Sequence, residues 1–402
     1  IQRGEFGYRK YKPAKLMELF NNVAYINVNH SLNSFLTRSL QADSCEKIIQ
    51  HQLEKLKENP QLHDSIEFNI SRSSYVFDTE DEFAVEYKNI ISPEEIQKWH
   101  QDLIEIDSLN KSTLEKNNET MLRAFSLLDG NFKYSKKENI KFIRDNMALP
   151  FTHHSRLGFV YFAQLNNLLR KDVITEAQKN SLLLSVKSIS TKMKSDAYQV
   201  KLGKKSLSSF LDIYGHIRAG NYNLSSSNLK NNLEFTEMLV HNSEPQDENI
   251  SLQKVIFSNI DKYFELNNIP YTASAWVEMF QTAIATRENS KFYYTKGIDG
   301  ILNEIEEQNI SDEELFQRLN IEFSQENKIN LDLKNTLMPD LISSSDDFYL
   351  YEEMSKDGNY IGQGTVSGKV LLLDNYSNQP YDLDNKIVVI PAADPGWDWI
   401  FN

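Results

Sequence analysis

The sequence predicts a mainly α-helical central domain, a small α+β segment before it, and the opening strands of a further domain at the C-terminus. Three observations carry this prediction. Helix-capping signatures recur between residues 92 and 314. The apolar residues that follow them are spaced three and four apart, the repeat of one buried helix face. Near residue 360 the period changes, and β-rich runs punctuated by Gly, Pro, Asn and Asp take over.

Residues 1–92 mix short apolar runs, VAYINV (23–28) and SYVFD (74–78), with an amphipathic stretch, CEKIIQHQLEKLKENP (45–60). Helices and a few strands are both expected there. At Ser92-Pro93-Glu94-Glu95 a serine cap, a glutamate three residues on and a proline at the first helical position start a helix. Ile96, Trp99, Leu103 and Ile106 then share one face of it. Thr175-Glu176-Ala177-Gln178 opens a second long helix in the same way, and Ser311-Asp312-Glu313-Glu314 a third. Residues 93–345 are therefore read as a helical domain. The polar stretch DDFYLYEEMSKDGN (346–359) places a linker over 346–360. Over 361–402, TVSGKVLLLD (365–374) and NKIVVIPA (385–392) read as strands joined by the loop NYSNQPYDLDN (375–385). The Ser/Asn-rich run NLSSSNLKNN (223–232) reads as a flexible loop. There is no internal repeat.

Composition narrows the function. The 402 residues are long enough for two or three domains of roughly 150 residues. At 40% hydrophobic content a real core forms. A net charge of −14 argues against a general nucleic-acid binder, which needs a basic face, and leaves room for a local basic pocket. The single cysteine, Cys45, excludes an internal disulfide and a cysteine-rich metal site. No apolar run approaches the ~18–20 residues of a membrane span. The chain starts at Ile1, not Met, and shows no signal peptide, so it reads as a cytoplasmic fragment of a longer protein.

Phosphate-binding glycine loops of the familiar kinds are absent, as is the HExxH metal pattern. The glycine-rich GQGTVSG precedes a strand and reads as a turn. Two stretches stand out. In LPFTHHSR (149–156), a proline, two imidazoles and Arg156 fall where an apolar helix is expected to begin, which would place donors at an N-terminal anion site. Adjacent His153 and His154 diverge by about 100° in a helix, so they do not share a metal; their other reading is to cap and pack. In YGHIRAGNYNL (214–224), Gly215 and Gly220 permit positive φ and close backbone approach. Arg218 offers a planar fork to a carboxylate or phosphate, and His216 titrates near neutrality. Tyr214 and Tyr222 can wall a pocket. The competing reading is a tight turn with Arg218 in a structural salt bridge, and both stay open. In TRENSKF (286–292), Arg287 and Lys291 share a helical face, the pattern of a solvated surface.

YGHIRAGNYNL resembles the YGHLRPGTYDI motif of PEP-synthase-like, PEP-utilising phosphotransferases, which combine an ATP-grasp domain with a swivelling phosphohistidine domain. GEFGYRKY (4–11), LPFTHHSRLGFVYFAQLNNLL (149–169), TRENSKFYYTKGI (286–298), MPDLISSSDDF (338–348) and GQGTVSGKVLLLD…KIVVIPAADPGW (362–397) resemble the same family in the same order. Within it the chain is similar to the L-glutamine kinases, which phosphorylate the amide nitrogen of glutamine for capsule phosphoramidate synthesis. Three motif positions depart: the proline is Ala219, the threonine Asn221 and the aspartate Asn223.

The resemblance implies that an ATP-grasp domain precedes Ile1, that 361–402 begin the β/α swivelling domain, and that the phosphoryl-carrying histidine follows Asn402. It also implies ATP and Mg²⁺ for the whole enzyme, with no site for either in these residues, and L-glutamine as the small-molecule acceptor. His216 is the candidate for orientation or proton transfer, and Arg218 and Arg156 are the candidate anion clamps. Tyr214, His153, His154, Arg287 and Lys291 are further binding candidates, and Glu288 a holder of an amino group or an arginine. The alternatives are a related kinase with another acceptor, or a non-catalytic helical spacer between the ATP-grasp and histidine domains.

Overall fold

The computed structural model describes residues 2–11, 16–20, 23–63, 66–128, 141–218, 228–245, 252–306, 339, 341–343, 366–373, 383 and 385–390. Among them the protein is mainly helical. An antiparallel pair, β1 (Met17–Phe20) and β2 (Val23–Ile26), joins Met17 to Ile26 and Phe20 to Val23. It is followed by α1 (Val28–Asn33), α2 (Ala42–Glu58), α3 (Glu80–Tyr87) and α4 (Pro93–Leu128). Then come α5 (Leu149–Arg170), α6 (Glu176–Leu184), α7 (Ile189–Lys201), α8 (Leu207–Tyr214), α9 (Leu233–His241), α10 (Lys254–Leu266) and α11 (Ala273–Glu306). Near the C-terminus β3 (Lys369–Leu372) pairs in parallel with β4 (Lys386–Val389). Both β-rich runs expected there are thus strands. The Ser311 cap, the 346–360 linker and the 375–385 loop lie outside the described residues, apart from Leu383 and Asn385.

The capping signatures act as their chemistry requires. Thr175 and Gln178 exchange both bonds of a capping box at the start of α6. Ser92 Oγ accepts from the Glu95 N–H at 3.4 Å, but the Glu95 carboxylate accepts from Ser44 instead of returning to the cap. That exchange ties α4 to α2. On α4, Ile96, Trp99, Leu103 and Ile106 are all buried. α4, α5 and α11 pack pairwise. One core cluster draws on Leu32 through Ile91 as well as on Ile96 through Ala283, so side chains from both sides of residue 92 meet in it. A second, smaller cluster joins Ala197, Phe210, Tyr214, Leu229, Phe235 and Val240.

The run SYVFD buries Tyr75, Phe77 and Asp78 but is not a strand. It lies among helices, where no partner strand can accept or donate its backbone bonds. Side chains replace the ladder. Gln164 Nε2 donates to the Tyr75 carbonyl (3.1 Å), Asn167 Nδ2 to that of Val76 (2.7 Å) and the Tyr263 hydroxyl to that of Phe77 (3.1 Å). The His100 ring nitrogen Nε2 bonds the Asp78 carbonyl at 3.1 Å. Four consecutive carbonyls are thus satisfied by donors from α5, α10 and α4, as burial demands. Gln164 is fully buried and also accepts from Trp276 Nε1 on α11 at 2.9 Å.

Replacing Gln164 with Met keeps the volume but orphans the Tyr75 carbonyl and the Trp276 N–H, both on buried residues. At ~1–3 kcal/mol for each of the two buried groups left unpaired, Gln164→Met lowers unfolding stability by about 2–6 kcal/mol in urea titrations. The same change at exposed Gln50 on α2 leaves the midpoint unmoved.

Candidate functional site

The end of α8 builds one wall of the site. Ser206 caps the helix by accepting from the Ser209 N–H. Phe210 and Tyr214 then point into the smaller core, both fully buried. The Tyr214 hydroxyl donates to Asp196 Oδ2 at 2.9 Å, and Lys205 holds the same carboxylate oxygen at 2.7 Å. Tyr214 therefore supports the wall from inside. Gly215 follows with φ −58°, so its role is not the positive φ expected from the sequence. Space is the reason: a Cβ there would lie 2.3 Å from the Leu211 carbonyl oxygen and 3.2 Å from Lys230 Cβ.

Residues 215–218 and 228–230 lie side by side. The Lys230 N–H donates to the Gly215 carbonyl and the Leu229 N–H to that of Ile217. Arg218 pairs with Asn228 in an isolated antiparallel bridge. Both side chains converge on one carboxylate oxygen: Arg218 Nη2 and Asn228 Nδ2 donate to Asp299 Oδ1 at 2.8 and 3.0 Å. His216 is buried, and Phe292 on α11 receives it twice. The imidazole Nε2–H donates to the Phe292 carbonyl at 3.2 Å, and the two rings meet edge-on at 4.6 Å. Burial pulls the His216 pKa down to about 4, against the opposing pull of the Asp299 charge and the Phe292 carbonyl. Gly220, Tyr222 and the departures at 219, 221 and 223 lie outside the described residues.

The LPFTHHSR stretch does not start a helix as expected. Residues 141–148 are already helical, with a π-type turn at Arg144–Ala148, and the Leu149 N–H donates to the Arg144 carbonyl. The free N–H groups needed for an N-terminal anion site are thereby used inside the helix. His153 and His154 diverge. His153 packs its ring 4.4 Å from that of Phe6. His154 is buried and bonds through Nδ1 to Ser290 Oγ on α11. Burial also lowers its pKa to about 4. Arg156 turns towards the N-terminal segment: Nη1 pairs with Glu67 at 2.5 Å, and Nη2 donates to the Tyr8 hydroxyl and the Ser73 carbonyl.

The TRENSKF stretch lies mid-way along α11. Arg287 pairs with neighbouring Glu288 and stands 5.7 Å over the Phe159 ring. Gly158 on α5 makes room for it: a Cβ there would come within 3.1 Å of Arg287 Cδ. Glu288 also accepts from Ser190 Oγ (2.9 Å), and Asn289 Oδ1 accepts from the Ile189 N–H (2.9 Å) at the start of α7. Lys291 is half-buried one turn beyond Arg287.

Two sequence motifs thus meet residues 286–299 of α11, which hold most of a third: His154 bonds Ser290 from one, and His216 bonds Phe292 and Arg218 bonds Asp299 from the other. Arg156 and His153 are not brought to this segment. Sequence reasoning missed Ser290, Phe292, Asp299 and Asn228. Phe292 and Ser290 lay within a stretch already singled out. Asp299 carried a weaker signal, a lone acid in the apolar-leaning run GIDGIL. Among the described residues, this segment carries Arg287, Lys291 and Lys296 with Glu288 and Asp299, and Arg218 reaches it through Asp299.

Among the described residues no group of three His, Cys, Asp or Glu side chains is placed to hold a metal ion, and no helix is long and apolar enough to cross a membrane. Comparison with protein-family models, with curated proteins and with solved structures gives no match in any of the three.

The two buried imidazoles predict an acid-sensitive fold. Each has a folded pKa of about 4, below the ordinary value of 6.5, so the unfolded chain binds more protons between those limits. Stability is full above about pH 6.5 and falls as the pH drops towards 4, by up to about 3 kcal/mol for each histidine. In urea titrations from pH 7 to pH 4, His216→Gln retains a donor for Phe292 and loses correspondingly less stability than the parent protein.

Proposed function

We propose that this chain is the acceptor-binding part of an ATP-dependent phosphotransferase that works through a phosphohistidine. More particularly, we propose that its acceptor is L-glutamine, phosphorylated on the amide nitrogen for capsule phosphoramidate synthesis, within a cytoplasmic enzyme. The first statement is supported by the ordered resemblance of six sequence stretches to PEP-utilising phosphotransferases, and one observation carries it: two of those stretches converge on a third, at residues 286–299 of α11. The second rests on the resemblance alone.

In this reading the acceptor lies against α11 beside the 215–218 clasp. Phosphoryl transfer is mainly positioning and charge neutralisation. Arg218, held by Asp299 beside Asn228, supplies positive charge towards an oxyanion. Arg287 and Lys291 add positive potential, with Glu288 orienting Arg287. His216 takes the orienting role, because a base that protonates near pH 4 accepts a proton poorly at neutral pH. It locks the clasp to the Phe292 carbonyl. ATP and Mg²⁺ would be held by the ATP-grasp domain that the resemblance implies.

The spacer reading draws on a different observation. Tyr214, Arg218 and Arg156 each already hold protein partners, as a purely structural scaffold requires. A related kinase with another small acceptor would keep the same site and change its specificity.

The deciding experiment supplies ATP and Mg²⁺ to the full-length protein and follows ³¹P NMR with and without L-glutamine. A phosphoramidate resonance that requires glutamine is expected. ATP consumption without it rejects the acceptor and keeps the class, and no ATP use supports the spacer. Arg218→Met is expected to reduce product formation by about 10²–10³-fold, the effect of removing one positioned charge donor, with little change in the rate of histidine phosphorylation by ATP.

A further inference from the structure

A second cluster lies away from α11, where the N-terminal segment meets α5. Its positive charge is not balanced. Arg156 is buried and pairs with Glu67, yet its Nε is buried with no hydrogen-bond partner. Arg3, half-buried, donates to Ser34 Oγ and forms no ion pair among the described residues. The two guanidinium groups approach one aromatic ring: the Arg3 group stands 4.0 Å from the Phe35 centroid and the Arg156 group 5.5 Å. Among the described side chains, two guanidinium groups therefore gather at one ring with one paired carboxylate, that of Glu67.

Like charges held this close in a desolvated setting repel; Glu67 pairs directly with Arg156 and acts on Arg3 through space. The strain registers on Arg3, whose pKa burial and the Arg156 charge lower to about 10. Arg3 and Glu67 are partly exposed, while Arg156 and Tyr8 are buried. Arg156 is held firmly, because the Tyr8 hydroxyl both accepts from it and donates to the Ser73 carbonyl.

We infer that Arg3 and Arg156, converging on Phe35, form a binding site for a phosphate-class oxyanion. Arg156 offers its unpartnered Nε–H from below, and Arg3 offers the donors not used by Ser34. Two forks of this kind suit the several acceptor oxygens of a phosphoryl group. Glu67 competes with the ligand for Arg156 and so sets the affinity. The site stands apart from the α11 segment and does not rest on the phosphotransferase reading; either can fail alone.

The test uses the intact chain and inorganic phosphate as the probe. Phosphate is expected to raise the thermal midpoint beyond the effect of sodium chloride at equal ionic strength, and to give a saturable calorimetric isotherm. Arg3→Gln keeps a donor for Ser34 and removes the charge; it is expected to weaken phosphate binding at least roughly tenfold. Glu67→Gln removes the competitor and is expected to tighten it, a response that a purely structural Arg3 would not produce. A midpoint shift that sodium chloride reproduces, or phosphate binding unchanged in Arg3→Gln, overturns the proposal.

Discussion

Four consecutive backbone carbonyls, Tyr75 to Asp78, run through the helical core, and the rest of the fold is arranged around satisfying them. A strand obtains its bonds from a neighbour; a lone extended segment among helices has none and must be supplied by side chains. Here α4, α5 and α10 each contribute donors. The cost of leaving any carbonyl bare fixes the rotation of each helix about its own axis. Asp107 extends the constraint: it accepts from Gln164 and from the Tyr271 hydroxyl and pairs with Lys111. Trp276 closes it by donating to Gln164 from α11.

With α5 and α11 held in that register, the candidate site follows. One turn or more along from the Gln164–Trp276 contact, Gly158 admits Arg287, and His154 meets Ser290. The same helix α11 then leaves the main core and presents Phe292 and Asp299 to the smaller cluster of α7, α8 and α9. A single helix thus belongs to both packing units. The 215–218 clasp is held to it by a ring contact, a backbone hydrogen bond and a salt bridge. Such a shared helix suits a ligand site because its side chains are positioned by two cores at once.

The electrostatics are local. Among the described residues, a chain of net charge −14 sets two guanidinium groups around Phe35. The buried histidines are kept neutral at ordinary pH by desolvation. Their role in the fold is to donate or accept single directed hydrogen bonds, which makes them positioning groups more than carriers of charge.

Local chemistry was enough to read the helices and the C-terminal strands. The Thr175 cap, the Ile96–Ile106 face and the runs around 370 and 388 depend on contacts within a few residues, and those are written in the order of the amino acids. The residues of interest at 153–156, 214–218 and 287–291 were also legible as unusual residue types. Their partners were not. Arg218 and Asp299 are 81 positions apart, His154 and Ser290 136, and a single sequence carries no term that couples such distances. The same limit misplaced the anion site expected at Leu149, because the helix that precedes it was not visible as a helix. Sequence alone determined where the capped, periodic helices lie and which side chains are chemically able. Tertiary structure decided which of them meet, because burial forces each polar group to find a partner, and that partner is selected in space, not along the chain.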